Sequence, residues 1–329
     1  MKQAIMYGAG DLRIEERPLD IDSLRDHQVY VETEVTALST GTDLGNYLGK
    51  STEVPGAPDY PRAVGYSNVG VIRLAGHSVR HLHPGQRVFS MKPHLSGYIA
   101  EASELLVPVP DGVSPEQASL AYLTQLGVAA MRQVSYETGE SVAVIGLGVI
   151  GLCTVGIART MGATVIGVAN SSLRADAATA MGAHRVYVAG DSAPPSDVDV
   201  VILTANPWAA FRMAVEMARY RGRVSVLGFP GRGEPLPDFN PLDPKWFYGK
   251  QLTLIGAGVS PRTECPPTEI RFNLRRNLEF IFAMMASGSL RLEPLITHRL
   301  PADRMREAYE LAREHSKSLI GAIFDWRNL

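Results

Sequence analysis

The chain has 329 residues, which predicts two domains at about 150 residues per domain. Hydrophobic residues make up 45% of the chain and charged residues 20%, as in ordinary globular proteins. The 32 Lys and Arg residues nearly balance the 34 Asp and Glu residues, and the formal net charge of −2 excludes a generally basic nucleic-acid-binding protein. The two cysteines, Cys153 and Cys265, exclude a disulfide framework and a four-cysteine structural zinc site.

The first hundred residues contain patterns typical of short strands. Residues 28–35, 67–74 and 86–91 are separated by Gly, Pro, Asn and His turns, which predicts three strands. The opening residues lack the apolar core of a signal peptide, so we expect a cytoplasmic location.

From Ser114 onward, strands and helices are predicted to alternate. Ser114-Pro115-Glu116 is a helix-start signature, with Ser as the cap and Pro in the first turn. The elements predicted after it are a strand over Ser141–Ile145, a helix over 149–161, a strand over 164–168, a helix over 174–181, a strand over 198–204, a helix over 207–220, strands over 223–227 and 251–255, helices over 275–286 and 302–313, and a strand over 319–324. This alternation predicts an α/β chain with a parallel sheet covered on both faces.

A glycine-rich loop follows the strand Ser141–Ile145. Gly146, Gly148 and Gly151 form the pattern G-x-G-x-x-G between that strand and an apolar helix. The first glycine allows a tight turn, the second lets backbone approach a pyrophosphate, and the third lets the helix pack on the strand. We therefore predict a dinucleotide-binding site, with a glycine-rich packing turn as the alternative. This unit also explains the uncharged run over 142–158, so no membrane span is expected.

The end of the next strand indicates which dinucleotide binds. A site that prefers NAD would carry an acid there for the ribose hydroxyls, but the chain continues Ala169-Asn170-Ser171-Ser172-Leu173-Arg174. Asn170, Ser171 and Arg174 offer hydrogen bonds and a positive charge to a 2′-phosphate. We therefore expect NADP(H) rather than NAD(H), and the alternative for Arg174 is a solvated helix surface.

The order of these parts resembles the medium-chain dehydrogenase/reductase superfamily, the alcohol dehydrogenase and quinone reductase group. The resemblance is carried by Ser39-Thr-Gly-Thr-Asp43, Gly65-Tyr-Ser-Asn-Val-Gly70, Pro84-Gly-Gln-Arg-Val88, Val107-Pro-Val-Pro-Asp-Gly112, the glycine loop and Gly222-Arg-Val-Ser-Val-Leu-Gly228. It implies a doubly wound Rossmann domain over residues 116–271 and a β-rich, GroES-like catalytic domain over 1–115 and 272–329. It also implies a homodimer joined through edge strands of the Rossmann sheets, including residues 251–255.

The cofactor-binding residues expected from the loop, the strand ends and the resemblance are Gly146, Gly148, Val149, Ile150, Gly151, Asn170, Ser171, Arg174, Thr204, Gly228 and Phe229.

The departures from the family concern its catalytic zinc. The positions that resemble two of the zinc ligands hold Thr40 and Tyr66, and residues 121–124, where the third should fall, contain no Cys, Asp or Glu. A catalytic zinc needs three protein ligands. We therefore expect a zinc-independent member with no metal site.

Without a metal, hydroxyl groups would exchange a proton with the substrate and stabilise the charge that develops during hydride transfer. Thr40, Thr42, Asp43 and Tyr66 occupy the expected site, and the resemblance assigns Thr42 to a hydroxyl proton relay. We hypothesise that a hydrogen bond between Asp43 and Tyr66 places the Tyr66 phenol at the reaction centre, with a space-filling role for Tyr66 as the alternative. His94 is expected to line the substrate pocket, or else to be solvated or structural.

These features predict an NADP(H)-dependent, zinc-independent oxidoreductase that interconverts a secondary alcohol and a ketone. Two alternatives are an NADPH-dependent enoyl or quinone reductase acting on an activated carbon–carbon double bond, and a catalytically inactive cofactor-binding protein. The expected partners are a small-molecule substrate and a second copy of the chain, with no nucleic acid and no membrane.

Overall fold

The computed structural model describes residues 1–50, 59–188, 190, 193–258, 260–261 and 272–329. The chain forms two compact units. Unit 1 comprises Met1–Tyr122, Leu278–Ser287 and Ile296–Leu329, and unit 2 comprises Leu123–Asn277 and Gly288–Leu295. No helix in the described ranges is long and apolar enough to cross a membrane.

The described strands are β1 Lys2–Gly8, β2 Asp11–Glu16, β3 Gln28–Ala37, β4 Arg62–Ala63, β5 Asn68–Ala75, β6 Arg87–Ser90, β7 Gly97–Glu101, β8 Val107–Pro108, β9 Ser141–Ile145, β10 Thr164–Ala169, β11 Arg185–Val188, β12 Val198–Leu203, β13 Ala218–Val226, β14 Thr253–Gly256, β15 Ile296–Pro301 and β16 Gly321–Asp325. The described helices are α1 Thr42–Tyr47, α2 Pro115–Ala118, α3 Ala121–Gln133, α4 Val149–Thr160, α5 Ser172–Ala180, α6 Trp208–Met217, α7 Leu274–Ala286 and α8 Met305–Arg313. Short 3₁₀ turns cover Glu293–Leu295 and Ala302–Arg304, and a π turn covers Lys245–Gly249.

Unit 1 is built on two sheets. One has the order β2-β1-β4 and is antiparallel throughout. The other has the order β15-β16-β3-β5-β6-β8, and β7 also pairs with β3. The only parallel pair among its described strands is β15 with β16, so the end of the chain returns to complete a sheet begun by β3. The short helix α1 starts a few residues after β3 and carries Asp43.

Unit 2 is built on a parallel sheet with the order β11-β10-β9-β12-β13-β14. β9 and β12 are apolar and almost wholly buried, because neighbouring strands and helices cover them on both faces. This order is the doubly wound arrangement, and it confirms the predicted parallel α/β sheet. β14 lies at one edge of the sheet.

Most predicted elements of unit 2 are confirmed, but the helix over 207–220 is too long. α6 ends at Met217, and Ala218 already belongs to β13, where it pairs with Val198. Ala218 is fully buried in the sheet. Tertiary packing therefore overrides the helix propensity of Ala218.

Candidate functional site

The glycine loop of unit 2 joins β9 to α4, and each glycine meets a different steric demand. Gly146 has a φ of +96°, and a Cβ there would lie 2.7 Å from Ala205 N. A Cβ at Gly151 would lie 1.9 Å from Gly146 O, so α4 can approach the loop only without a side chain. Around Gly148, the residue before α4, a Cβ would meet open space. Open space beside the free N–H groups of a helix start suits a pyrophosphate.

The first turn of α4 presents two of the other expected cofactor residues. Val149 is buried, and Ile150 is half-buried. Their backbone N–H groups lie in the first turn of the helix, where such groups lack partners within the helix.

Thr204, which follows β12, holds the glycine loop in place. Its Oγ1 donates a hydrogen bond to Ile145 O at 3.1 Å and also bonds to Gly146 O. Because these carbonyls belong to the end of β9 and the first glycine, Thr204 fixes the turn by which the loop leaves the sheet.

The loop after β13 brings Gly228 and Phe229 to the same carboxyl edge of the sheet. A Cβ at Gly228 would lie 2.7 Å from Ala205 O, so this position also needs glycine. Phe229 is exposed, and its backbone N–H donates to Asn206 Oδ1 at 2.9 Å. Asn206, which the sequence reasoning missed, therefore orders the loop that carries Phe229.

The end of β10 carries the three residues expected near the 2′ position of the ribose. Asn170 is exposed, and the Ser171 Oγ is buried with no hydrogen-bond partner among the described residues. Arg174 is half-buried, and its Nη1 donates to Leu147 O in the glycine loop at 2.7 Å. Burial lowers the pKa of Arg174. The guanidinium therefore lies against the glycine loop rather than on an open helix surface.

In unit 1, Asp43 joins two backbone segments. Its Oδ2 accepts a hydrogen bond from Ser39 N at 2.9 Å, and its Oδ1 accepts one from Gly65 N at 3.3 Å. The side chain is 1% exposed. Burial raises the pKa of Asp43 to about 6, while the two amide hydrogen bonds act in the opposite direction.

The Tyr66 phenol is bonded to Ser39, so the predicted Asp43–Tyr66 hydrogen bond is wrong. The Tyr66 hydroxyl donates to Ser39 Oγ and also interacts with the Thr42 hydroxyl. Both Asp43 oxygens accept from backbone N–H groups, and the Tyr66 hydroxyl bonds to the serine and threonine hydroxyls instead. Burial raises the pKa of Tyr66 well above its usual value, and the nearby Asp43 carboxylate raises it further. Tyr66 is therefore a neutral phenol at physiological pH.

His94 lies inside unit 1, which corrects the expectation that it lines a substrate pocket. It is 0% exposed, and its ring meets Phe324 edge-on at a centroid distance of 5.2 Å. Its Nε2 lies 3.9 Å from Asp43 Oδ2, and neither ring nitrogen has a hydrogen-bond partner in the described part of the chain. Burial lowers the pKa of His94 to about 3, so the imidazole is neutral and the two groups form no ion pair.

In the described part of unit 1, the positions expected for two zinc ligands carry hydroxyl groups instead. Thr40, which is half-buried, and Tyr66 stand where the resemblance places two ligands. Within the described ranges, no three His, Cys, Asp or Glu side chains lie close enough together to hold a metal ion. Cys153 is a buried thiol whose pKa burial raises to about 12, and Cys265 lies outside the described residues.

Two residues near Tyr66 escaped the sequence reasoning. Ser39 belongs to the Ser39-Thr-Gly-Thr-Asp43 motif, but its contact with the Tyr66 phenol, which marks it as a site residue, is visible only in the structure. Tyr309 in α8 is 0% exposed, stacks on Phe324, and has no hydrogen-bond partner for its hydroxyl among the described residues. Burial raises the pKa of Tyr309, and the nearby Asp43 carboxylate raises it further. No signal in the sequence predicts this proximity, because more than 250 residues separate Tyr309 from Asp43.

Comparison with known proteins agrees with this architecture. A family profile described as zinc-binding dehydrogenase matches residues 149–272. Sorbitol dehydrogenase from Bacillus subtilis is 24% identical over 95% of this chain and 93% of its own length. The crystal structure of galactitol-1-phosphate dehydrogenase from Escherichia coli superposes with a TM-score of 0.82 at 20% identity, covering 99% of this chain and 100% of its own.

A further solved structure with the same fold contains a dinucleotide. A zinc-binding dehydrogenase from Sinorhizobium meliloti bound to NADP superposes with a TM-score of 0.77 at 20% identity, covering 98% of each chain. The family profile covers residues 149–272, whereas the relative and the solved structures are similar to nearly the whole chain, so this chain shares the fold of these dehydrogenases.

Proposed function

We propose that the protein is an NADP(H)-dependent oxidoreductase that interconverts a secondary alcohol and a ketone without a catalytic zinc. The observation that carries this proposal is the Tyr66 phenol, which a serine hydroxyl and a threonine hydroxyl hold in unit 1 at a position where the family has a metal ligand. Similarity to sorbitol dehydrogenase over nearly the whole chain supports an alcohol as the substrate class.

The preference for NADP(H) is supported by the end of β10. Asn170, Ser171 and Arg174 bring two neutral polar groups and one cation to this point, and no carboxylate stands there to repel a phosphate. Arg174 already lies against the glycine loop through Leu147, so its charge is close to the start of α4. A guanidinium is well suited to a phosphate, because it can donate two parallel hydrogen bonds.

The bound nicotinamide would supply or accept the hydride. In ketone reduction, the Tyr66 O–H would donate its proton to the substrate oxygen as that oxygen gains charge. The phenol is protonated at physiological pH and so carries a proton to donate, and its hydrogen bonds to Ser39 and Thr42 offset part of the pKa increase that weakens it as an acid. Thr42 would add a second hydroxyl beside the phenol, and Thr40 a third in the same loop.

We also propose that the protein acts as a homodimer in the cytoplasm on a small-molecule substrate. Support for the dimer comes from β14, whose position at the edge of the parallel sheet leaves one side of its backbone without a described strand partner. A second β14 could pair there, since an open strand edge favours such pairing.

The decisive experiment combines a metal assay with a substrate panel. Purified protein is expected to contain less than about one-tenth of a zinc ion per chain, and its activity should survive a strong chelator. Secondary alcohols and polyols with NADP+ should turn over, whereas enones with NADPH should not. Stoichiometric zinc that is needed for turnover would overturn zinc independence. Turnover of enones alone would establish the double-bond reductase, and tight NADPH binding without turnover on any substrate would establish the inactive binding protein.

A further inference from the structure

Three hydrogen bonds and the peptide chain connect Asp43, Ser39, Tyr66 and Gly65 in a closed ring. Asp43 accepts from Ser39 N through one oxygen and from Gly65 N through the other. The Tyr66 hydroxyl then donates to Ser39 Oγ, and Gly65 is the residue directly before Tyr66. The ring therefore runs from Asp43 to Ser39, across to the phenol, and back along the chain through Gly65.

The ring is shielded from water and sterically fixed. Asp43 is 1% exposed and Ser39 is 2% exposed, so water cannot easily replace either group. Gly65 has a φ of +88°, and a Cβ there would lie 2.6 Å from the His94 ring. Only glycine allows the backbone to pass His94 and present its N–H to Asp43. A hydrogen bond that water cannot replace holds its partner in a narrower range of positions.

We propose that Ser39 is a positioning residue for the Tyr66 phenol, which rests on the proposed role of Tyr66 as the acid in ketone reduction. Before the reaction, the Tyr66 O–H points to Ser39 Oγ. When the Tyr66 O–H bond breaks and its proton forms the new O–H bond of the alcohol, the Ser39 hydroxyl turns and donates to the phenolate. Water later returns a proton to the phenolate, so the cycle is balanced.

The hydrogen bond to Ser39 also shifts the pKa of Tyr66 in the direction that favours proton donation. Ser39 is one of the groups that lower the pKa of Tyr66, against burial and the Asp43 carboxylate, which raise it. Loss of the Ser39 hydroxyl would leave the phenol harder to ionise and free to turn away. Both changes slow proton transfer without touching the glycine loop in unit 2.

Kinetics of Ser39→Ala and Ser39→Thr, each made alone and with Tyr66→Phe, test this proposal. We expect Ser39→Ala to lower kcat for ketone reduction by about tenfold, the effect of one hydrogen bond. KM for the ketone and Kd for NADPH should change by less than about twofold. Ser39→Thr should recover most of the lost kcat, because it keeps the hydroxyl. In the Tyr66→Phe background, Ser39→Ala should cause no further loss, since Ser39 acts through the phenol.

A matched control exists in the same unit. The Tyr98 hydroxyl donates to Ser90 Oγ at 2.8 Å, and Ser90 is also 2% exposed. Ser90→Ala removes the same kind of bond away from Tyr66, and its kcat should stay within about twofold of the wild type. If Ser39→Ala does not fold, as judged by circular dichroism, Ser39→Cys replaces it, and a thiol as a weak acceptor should give a smaller loss of kcat that still disappears in Tyr66→Phe.

The outcomes separate this inference from the proposed function. If Tyr66→Phe is fully active, the proposed role of Tyr66 fails, and with it the role of Ser39. If Tyr66→Phe loses turnover while Ser39→Ala keeps wild-type kcat, the proposed function stands and the inference about Ser39 is wrong. Losses that simply multiply in the double variant would also overturn it, because Ser39 would then act independently of the phenol.

Discussion

At the scale of single residues, Asp43 and His94 form an unusual buried pair. Burial raises the pKa of Asp43 from 3.8 to about 6 and lowers the pKa of His94 from 6.5 to about 3. Between about pH 4 and 6, the folded pair therefore carries one proton on Asp43, and the unfolded pair carries one proton on His94. Folding therefore moves the proton from His94 to Asp43 and leaves the number of protons bound by the pair unchanged. Tyr66 and Tyr309, whose pKa values are raised, stay neutral throughout this range.

This balance predicts opposite pH effects for two single variants. The stability that Asp43 contributes is greatest at low pH and is lost as pH rises to about 6; the stability that His94 contributes is lost as pH falls below 6.5. Relative to the wild type, the free energy of unfolding of Asp43→Asn should therefore rise with pH between 4 and 6, by about 1.4 kcal/mol per pH unit. His94→Phe should change it by the same amount in the opposite direction. Urea unfolding at several pH values measures both slopes.

The double variant Asp43→Asn/His94→Phe is the control for this prediction. It should recover the wild-type slope, because both shifted groups are gone. Equal slopes in all four proteins would mean that the folded pair does not hold its proton on Asp43.

Arg174 is the residue on which we expect cofactor choice to depend. Arg174→Ala should weaken NADPH binding by about 10- to 100-fold, because a charge-assisted hydrogen bond is lost, and should leave NADH binding nearly unchanged. Fluorescence titration of each cofactor measures this. Arg212→Ala, which removes an exposed arginine from α6 of the same unit, is the control. An equal loss for both cofactors would show instead that Arg174 acts by holding the glycine loop through Leu147.

At the scale of elements, the turn from β9 into α4 contains one glycine that protein packing requires and another that only the proposed ligand requires. Gly151 touches protein backbone, whereas Gly148 faces open space. Sequence reasoning placed both residues in the loop and predicted β9 with its observed bounds, because a short buried strand followed by G-x-G-x-x-G is a strong local pattern. It misplaced the end of α6, because the pairing of Ala218 with Val198 depends on a strand twenty residues away.

Two alanine substitutions should therefore have different consequences. Gly151→Ala should lower stability by about 1–3 kcal/mol, because its Cβ would lie 1.9 Å from Gly146 O and the helix must shift. Gly148→Ala has an ordinary φ of −74° and no close neighbour, so its melting temperature should match the wild type while its affinity for NADPH falls at least about tenfold. Thermal unfolding and a binding titration on each variant measure these effects. Wild-type affinity in Gly148→Ala would mean that no pyrophosphate approaches this glycine.

At the scale of the whole molecule, the fold class could be predicted from the sequence, but the hydrogen bonds of the candidate catalytic residues could not. The alternation of apolar strands and helices extends over more than a hundred residues, so the parallel sheet could be predicted. Asp43 and Tyr66 lie in one hydrogen-bonded cluster, as expected, yet the hydrogen bond predicted between them is not observed. Which of two neighbouring acceptors a phenol reaches depends on distances of a few ångströms, and such distances come only from three-dimensional packing.

The assembly of the molecule gives a further prediction. If β14 pairs with its copy, sedimentation equilibrium at micromolar concentration should give twice the mass of one chain. The dissociation constant should depend little on salt, since backbone hydrogen bonds and apolar contacts would form most of the interface. A single species with the mass of one chain would contradict pairing through this edge.

The pairing of β16 with β3 also sets the order in which the two units can fold during synthesis on the ribosome. Trp326 Nε1 donates to Thr36 Oγ1 at 3.0 Å, and the ring of Phe324 supports both His94 and Tyr309. Every strand of the parallel sheet leaves the ribosome before β16 does, so unit 2 can fold while the sheet of unit 1 still lacks the strand β16 beside β3. The proposed cofactor site can therefore form before the core around Tyr66 is assembled, and the candidate catalytic residues gain their final surroundings last.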